Sequence, residues 1–361
     1  MQSGPGQTST DPPPSGRPAR PGRLPAPPPR SPPGPLPPDE PTPPAPPYDS
    51  ELAGAAAELR RTTPQTAEVD MVPALREAVA AYPEVTDDQL TADGAWEVAE
   101  DAAEGVPVLV CRPTGPAPGP YPVLCVLHGG GMIVGDCRQG VLDPLTYARE
   151  LGCAVVSVGY RLAPEHPHPA PVEDCLTALA WTLGKGAAAH GLDPGRTVLH
   201  GTSAGGGLAA GAALLARDRG APLPAALMLL SPMLDDRNDS LSARQLAGSG
   251  VWDRAANAAG WAALLGEAAG GPDVPPYAAP ARARDLSGLP PLYLDAGSAE
   301  TFRDESAAFA SRVWAAGGEA ELHVWPGAFH GSDGLVPGAR ISRAARAARL
   351  DWLRRVLGLP G

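Results

Sequence analysis

Apolar residues fall into two alternating patterns from about residue 106 to the end of the chain. The first pattern is a short, continuous run of aliphatic and β-branched residues. Such a run predicts a strand of a parallel sheet that is buried on both faces, because neither face of such a strand contacts solvent and both carry apolar side chains. The predicted strands are 106–111, 123–127, 154–160, 197–200, 226–230, 292–295 and 320–325.

The second pattern is helical. In segment 171–184, Val172, Leu176, Leu179 and Leu183 recur at the spacing that places them on one face of a helix. The other predicted helices in this part of the chain are 142–151, 208–217, 251–265, 302–316 and 339–357. Strands that alternate with helices in this way predict an α/β fold with a mostly parallel, doubly wound sheet.

Two further segments interrupt or precede this alternation. Segment 48–101 contains helical patterns at 51–61 and 69–81, and we interpret it as a helical cap segment ahead of a catalytic domain at 102–361. Segment 235–285 breaks the regular alternation and is the predicted second part of the cap.

The amino-acid composition predicts an N-terminal tail and argues against two classes of protein, nucleic-acid-binding and membrane-spanning. Residues 1–47 are dense in proline and lack apolar periodicity, so they predict a disordered, polyproline-like tail without the apolar core of a secretory signal. The net charge of −12, without a basic cluster, argues against a nucleic-acid partner. The chain lacks an apolar run of about eighteen residues, the length a membrane span requires.

The five cysteines are scattered singly, without metal-binding spacing or an even disulfide framework. This distribution favours a reducing, cytoplasmic location and gives no support for a metal site.

The sequence Gly-Thr-Ser-Ala-Gly at 201–205 lies between a predicted strand and a predicted helix. A serine at the tip of so tight a turn requires neighbours that lack side chains, which Gly201 and Gly205 supply. The N-terminus of the following helix also favours negative charge near the serine. Ser203 is therefore the candidate nucleophile.

A second glycine sequence, His-Gly-Gly-Gly-Met at 128–132, follows a buried strand. Consecutive glycines expose backbone N–H groups, which an acyl-transfer enzyme uses to bind a tetrahedral oxyanion. We interpret this sequence as an oxyanion-binding turn.

A serine nucleophile requires a histidine base and an acid that orients it. Downstream of Ser203, His323 lies inside a predicted strand and reads as structural. His330 follows that strand in a loop, where a catalytic base is expected. Among the carboxylates near the preceding predicted strand, the loop residue Glu300 is favoured over Asp295 and Asp304.

These motifs together resemble the hormone-sensitive-lipase-like family of α/β-hydrolase esterases. The resemblance is carried by segments 128–131, 160–167, 201–206 and 300–330 and extends from about Tyr48 to the C-terminus. It implies an α/β-hydrolase fold, no cofactor, and hydrolysis of small-molecule esters with short to medium acyl chains. A homodimer paired through the final helix and the sheet edge is compatible with the resemblance, although nothing in the composition indicates it.

The family pattern also implies individual roles. The usual Gly-Asp-Ser-Ala-Gly-Gly sequence is Gly-Thr-Ser-Ala-Gly-Gly here, which resembles a recognised subgroup. The resemblance implies that the N–H groups of Gly130, Gly131 and Ala204 form the oxyanion hole. The usual acid is the Asp of an Asp-Pro-Leu-Arg-Asp-Glu sequence, and here Glu300 holds that position. His128 and the segment 161–165 read as structural supports of the site.

The function predicted from these observations is serine carboxylesterase with a Ser203–His330–Glu300 triad. Two alternatives remain on the same scaffold: a lactonase, amidase or deacetylase acting on a natural product, and a catalytically silent small-molecule receptor. Residues Met132, Trp252, Trp261 and Phe329 are candidate pocket walls, together with the N-terminal helices.

Overall fold

The structure, a computed structural model, describes residues 1, 4, 42–62, 71–81, 85–115 and 119–360. Internal contacts divide the chain into the units Met1–Pro35 and Leu36–Gly361, and the fold below is that of the second unit. Most of the predicted disordered tail lies outside the described residues. Its described end, 42–47, has no helix or strand, and the carbonyl of Pro44 accepts a hydrogen bond from Gln245 Nε2 at 2.9 Å.

The strands are β1 (Trp96–Ala103), β2 (Val106–Pro113), β3 (Tyr121–Leu127), β4 (Ala154–Val158), β5 (Leu192–Thr202), β6 (Ala226–Leu230), β7 (Leu292–Gly297) and β8 (Ala320–Trp325). They form one sheet in the order β1-β2-β4-β3-β5-β6-β7-β8. The pairs β1–β2 and β2–β4 are antiparallel, and the remaining pairs are parallel. The predicted mostly parallel, doubly wound sheet is confirmed.

The helices of the described residues are α1 (Ala53–Thr62), α2 (Met71–Ala80), α3 (Asp87–Thr91), α4 (Leu142–Leu151), α5 (Ala170–Leu183), α6 (Lys185–His190), α7 (Ala204–Arg219), α8 (Leu241–Gln245), α9 (Arg254–Leu265), α10 (Arg303–Ala315), α11 (Ser332–Leu335) and α12 (Arg340–Val356). None of these helices is long and apolar enough to cross a lipid bilayer.

Each face of the sheet carries its own apolar cluster, because successive residues of a strand point to opposite faces. Helices α5, α7 and α10 contribute to one cluster, and α4 and α12 contribute to the other. Along β7, for example, Leu292 and Leu294 join the first cluster and Tyr293 joins the second. This alternation decides which polar residues at the strand ends point towards which helices.

The sheet begins before residue 106, the predicted start of the first strand, inside the segment interpreted as a helical cap. Trp96–Ala103 is the edge strand β1, antiparallel to β2, and only its end residues Trp96 and Ala103 are buried. An exposed edge strand that contains several acidic residues carries little of the apolar signal on which the sequence prediction depends. The short helices α3, α6, α8 and α11 were also missed, because four to six residues are too few to show a helical period.

The two helices predicted in segment 48–101 are found close to their predicted positions, as α1 and α2. On α2, Val72, Leu75 and Val79 are half-buried against the main core, as the spacing predicted. Before and within α1, Leu52 and Ala56 are buried against Phe329. That these segments form a cap over the site remains a prediction.

Candidate active site

Ser203 occupies the turn between β5 and α7 with φ 58° and ψ −122°. A non-glycine residue held in such a conformation costs about 1–3 kcal/mol and persists only where its surroundings impose it. The surroundings here are crowded: a Cβ atom on Gly201 would overlap the carbonyl of Gly205, and one on Gly205 would overlap the carbonyl of Leu127. The two glycines are therefore required for the turn to close.

His330 lies in the loop that follows β8, with its Nε2 3.0 Å from the Oγ of Ser203. Its ring and the ring of Phe302 are in a T-shaped arrangement, with the centroids 5.2 Å apart. At this distance the imidazole can accept the hydroxyl proton directly.

Glu300 lies in the loop that follows β7 and is 2% exposed. Its Oε1 is 3.3 Å from His330 Nδ1, a separation that commonly shortens when substrate binds. Its Oε2 accepts hydrogen bonds from the hydroxyl of Ser231 at 2.8 Å and from the N–H of Gly297 at 2.7 Å. These two donors hold the carboxylate so that its other oxygen faces the imidazole.

Backbone hydrogen bonds join the loops that carry the acid and the base. Ser298 N–H donates to the carbonyl of Trp325 at 2.9 Å, and Ala299 N–H donates to that of Ala328 at 3.0 Å. Strands β7 and β8 are parallel neighbours, so their carboxyl ends, and the loops that follow them, lie side by side. The sheet itself thus sets the separation of Glu300 and His330.

The glycine turn after β3 lies against the nucleophile: a Cβ on Gly129 would be 3.3 Å from the Cβ of Ser203. Gly130 and Gly131 have φ values of 110° and 62°, a region that disfavours side chains. Within the described part of the chain, the N–H groups of Gly130, Gly131 and Ala204 donate to no other residue. Three backbone donors near Ser203 therefore remain available for a ligand.

His128 supports this turn from inside. Its ring stacks on Tyr160 with the centroids 4.1 Å apart, and its Nδ1 is 2.7 Å from the carbonyl of Gly129. Burial lowers the pKa of His128 to about 4, so the ring is neutral at pH 7 and its Nδ1 is the donor to the carbonyl.

A family model described as the alpha/beta hydrolase fold matches residues 124–333. The chain belongs to this family.

Several relatives of this α/β-hydrolase are named as esterases. The carboxylesterase NlhH of Mycobacterium tuberculosis is 34% identical over 258 residues, which cover 65% of the chain and 74% of NlhH. A solved bacterial heroin esterase is 38% identical with a TM-score of 0.73, covering 86% of the chain and 98% of that protein. A solved esterase of the bacterial hormone-sensitive lipase family is 33% identical with a TM-score of 0.69, covering 86% and 99%. This α/β-hydrolase is a serine carboxylesterase, of the hormone-sensitive-lipase-like type.

The alternative acids of this hydrolase have other partners. Asp295, within β7, shares the sheet face of Tyr293 and pairs with the buried Arg349 of α12, whose Nε lies 2.7 Å from its Oδ2. Asp304 accepts the N–H of Ser242 at 2.7 Å and thereby anchors α8. Neither carboxylate contacts His330 in the described structure.

Other predicted residues also have assigned surroundings. His323 stacks between Tyr293 and Trp325 and bonds Glu321 at 2.9 Å, away from the nucleophile. Arg161 and Glu165 do not pair with each other: Arg161 binds Asp174, and Glu165 binds a residue of α2.

Of the candidate pocket walls, only Trp252 contacts the glycine turn while remaining half-exposed, and its indole packs on Gly131. Met132, Trp261 and Phe329 are each buried to within 2% of full burial. Met132 and Trp261 belong to the main core, and Phe329 packs with the residues before and within α1.

Sequence reasoning missed two kinds of residue. Ser231, which binds Glu300, follows β6 directly, so its place at the carboxyl edge of the sheet was an available signal. Arg76 of α2 binds the carbonyl of Ile133, the residue directly after the glycine turn, from a distant part of the chain, and no local pattern could have identified it.

Proposed function

We propose that this carboxylesterase acts through Ser203 as the nucleophile, His330 as the general base and acid, and Glu300 as the residue that orients the imidazole. The observation that carries the proposal is the continuous chain of contacts from Ser203 Oγ through both ring nitrogens of His330 to Glu300 Oε1, at 3.0 and 3.3 Å. This series of contacts argues against a catalytically silent receptor, because a binding protein has no need of an aligned nucleophile and base.

In the first step, His330 Nε2 takes the proton of the Ser203 hydroxyl as Oγ attacks the ester carbonyl carbon. The carbonyl oxygen becomes an oxyanion bound by the N–H groups of Gly130, Gly131 and Ala204. Glu300 stabilises the imidazolium that forms. The tetrahedral intermediate then collapses, and His330 returns the proton to the departing alcohol, which leaves an acyl group on Ser203.

In the second step, His330 takes a proton from water as the water oxygen attacks the acyl carbon. Collapse of this intermediate breaks the bond to Ser203 Oγ, which recovers the proton from His330. The carboxylic acid leaves and the enzyme is regenerated. The N-terminus of α7 lies directly behind Ser203 and favours the negative charge in both steps.

We assign to this site small esters with short to medium acyl chains, as the family resemblance implies. The test compares p-nitrophenyl acetate, butyrate and decanoate for the wild type, for Ser203→Ala, and for Ser311→Ala, which alters an exposed serine on α10. We expect Ser203→Ala to lose at least about 10⁴-fold in kcat and Ser311→Ala to match the wild type.

A fluorophosphonate probe followed by mass spectrometry should locate the label on Ser203. Equal turnover by the wild type and Ser203→Ala would refute the assignment. Turnover of p-nitrobutyranilide or a lactone in preference to every acyclic ester would move the substrate class to amides or lactones while keeping the triad.

A further inference from the structure

The glycine turn is bent back on itself over a few residues. The N–H groups of Ile133 and Val134 both donate to the carbonyl of Gly130 at 3.0 Å. Met132, between them and the glycines, has a φ of 66°, which a side chain disfavours. A turn that contains such a residue needs outside contacts to keep its shape.

One of these contacts comes from the neighbouring loop and another comes from the N-terminal segment. Ala163 N–H donates to the carbonyl of Met132 at 2.9 Å. The guanidinium of Arg76, on α2, donates from Nε to the carbonyl of Ile133 and from Nη2 to the carbonyl of Ala163, each at 3.1 Å. Arg76 therefore joins the turn and the loop that supports it.

Glu165 fixes the guanidinium in this position. Its two carboxylate oxygens accept from Arg76 Nη1 and Nη2 at 2.6 and 2.7 Å. These bonds lower the pKa of Glu165 to about 2, so the pair stays ionised throughout the pH range of an esterase assay. The planar fork of arginine can bind two carbonyls and a carboxylate at once, which a lysine ammonium cannot reproduce.

The pair is too exposed to contribute much to stability, since the side chains of Arg76 and Glu165 are 37% and 55% accessible. Its geometry, rather than its energy, distinguishes it from other surface ion pairs. The bidentate pair of Arg219 with Glu173 has similar exposure, at 50% and 35%, but joins α7 to α5 and contacts no part of the glycine turn.

We propose that Arg76 is a positioning residue that holds the oxyanion-binding turn in its catalytic shape, so that helix α2 controls the rate of the chemical step. This inference rests on the proposed role of the Gly130 and Gly131 N–H groups. Displacement of those donors weakens the binding of the transition state and leaves the binding of the ground-state ester unchanged.

The test uses Arg76→Met, Arg76→Lys and Glu165→Gln in the full chain, with Arg219→Met as the matched control. Three properties are measured: kcat and KM for p-nitrophenyl butyrate, inhibition by an alkyl trifluoromethyl ketone, and inhibition by the corresponding secondary alcohol. In the ketone adduct, Ser203 Oγ bonds to the carbonyl carbon, the ketone oxygen becomes an oxyanion, and the serine proton passes to His330. The alcohol cannot form this adduct.

For Arg76→Met we expect kcat to fall about 10- to 100-fold, below the loss of a whole oxyanion donor. KM should stay within about twofold, and the inhibition constant of the ketone should rise by the same factor as kcat falls. The alcohol should bind as it does to the wild type. Arg76→Lys and Glu165→Gln should lose less, and Arg219→Met should lose nothing.

An unchanged kcat in Arg76→Lys and Glu165→Gln, as well as in Arg76→Met if that variant folds, would overturn the proposal. So would an equal weakening of ketone and alcohol, because that pattern indicates general damage to the pocket. Failure of the proposed function is separate, since it would appear as turnover by Ser203→Ala whatever the Arg76 variants do.

Discussion

The proposed acid and base and the proposed oxyanion-binding turn are held in different ways. Glu300 and His330 follow two neighbouring parallel strands, and hydrogen bonds between their loops fix their separation. The glycine turn leads from β3 into a long loop. Trp252 of the insertion contacts Gly131, and Arg76 of the N-terminal segment contacts Ile133, directly after the turn. In the proposed mechanism, the groups that transfer protons are thus positioned by the sheet, whereas the groups that bind the transition state are positioned by elements outside it.

This contrast indicates where change is tolerated. Substitutions in the cap segments should alter the rate through the oxyanion turn without unfolding the protein. Substitutions beneath the acid and base should instead cost stability, because the groups that support them are buried and charged.

The largest effect on activity is expected from Glu300→Ala. Without the carboxylate, the imidazole loses its orienting partner, and kcat should fall about 10³- to 10⁴-fold. Asp304→Ala serves as the control, because Asp304 follows in the first turn of α10 and contacts Ser242 instead of His330. Steady-state kinetics with p-nitrophenyl butyrate should separate the two, and a greater loss in Asp304→Ala would reassign the acid.

Arg349→Met tests the support beneath the acid and base. Arg349 is 4% exposed and pairs with Asp295, which precedes the Glu300 loop, and with Asp333, which follows His330. Removal of the guanidinium leaves the buried Asp295 without its ionic partner, so the free energy of unfolding should fall by about 3–5 kcal/mol.

The matched control is Arg354→Met, on the same helix, whose partner Glu150 lies 3.5 Å away and is exposed. That surface pair should contribute at most about 1 kcal/mol. Guanidinium titrations of both variants provide the measurement. Equal losses would show that the Arg349 network does not support this half of the site.

A smaller effect, on the pH dependence of the free energy of unfolding, is expected from His200→Leu. Burial lowers the pKa of both His200 and His128 to about 4, from an ordinary value of 6.5. Between these values the unfolded chain binds protons that the folded protein does not, so stability falls as the pH drops from about 6.5 to 4. Each histidine contributes up to about 3 kcal/mol of this loss.

Both ring nitrogens of His200 lack a hydrogen-bond partner in the described structure, so leucine should flatten the pH dependence of stability without removing a side-chain hydrogen bond. Urea midpoints at pH 7, 5.5 and 4.5 measure the slope, with the exposed His166→Leu as control. Activity at pH 7 should persist in His200→Leu and fall in His128→Leu, because only His128 supports the glycine turn. Identical slopes for the wild type and His200→Leu would contradict the burial argument.

Most of the sheet and the three residues of the proposed triad could be read from the sequence. Buried parallel strands have a continuous apolar signal. The glycines around Ser203 and after β3 follow predicted strands, where they indicate a tight turn and exposed backbone N–H groups. The edge strand β1 was not predicted, because its exposed side chains carry no such apolar signal. Ser231 was not identified as a partner of Glu300, because a single serine after a strand has many ordinary structural roles.

The sequence by itself determined which residues come to the carboxyl edge of the sheet, because parallel strands deliver the loops that follow them to the same edge. Only the tertiary structure decided how those residues are used. The alternation along β7 turns Asp295 towards Arg349 of α12, which leaves Glu300 to face His330. The contact of Arg76 with Ile133 likewise depends on how two distant segments pack, and local patterns of apolar and polar residues carry no record of such packing.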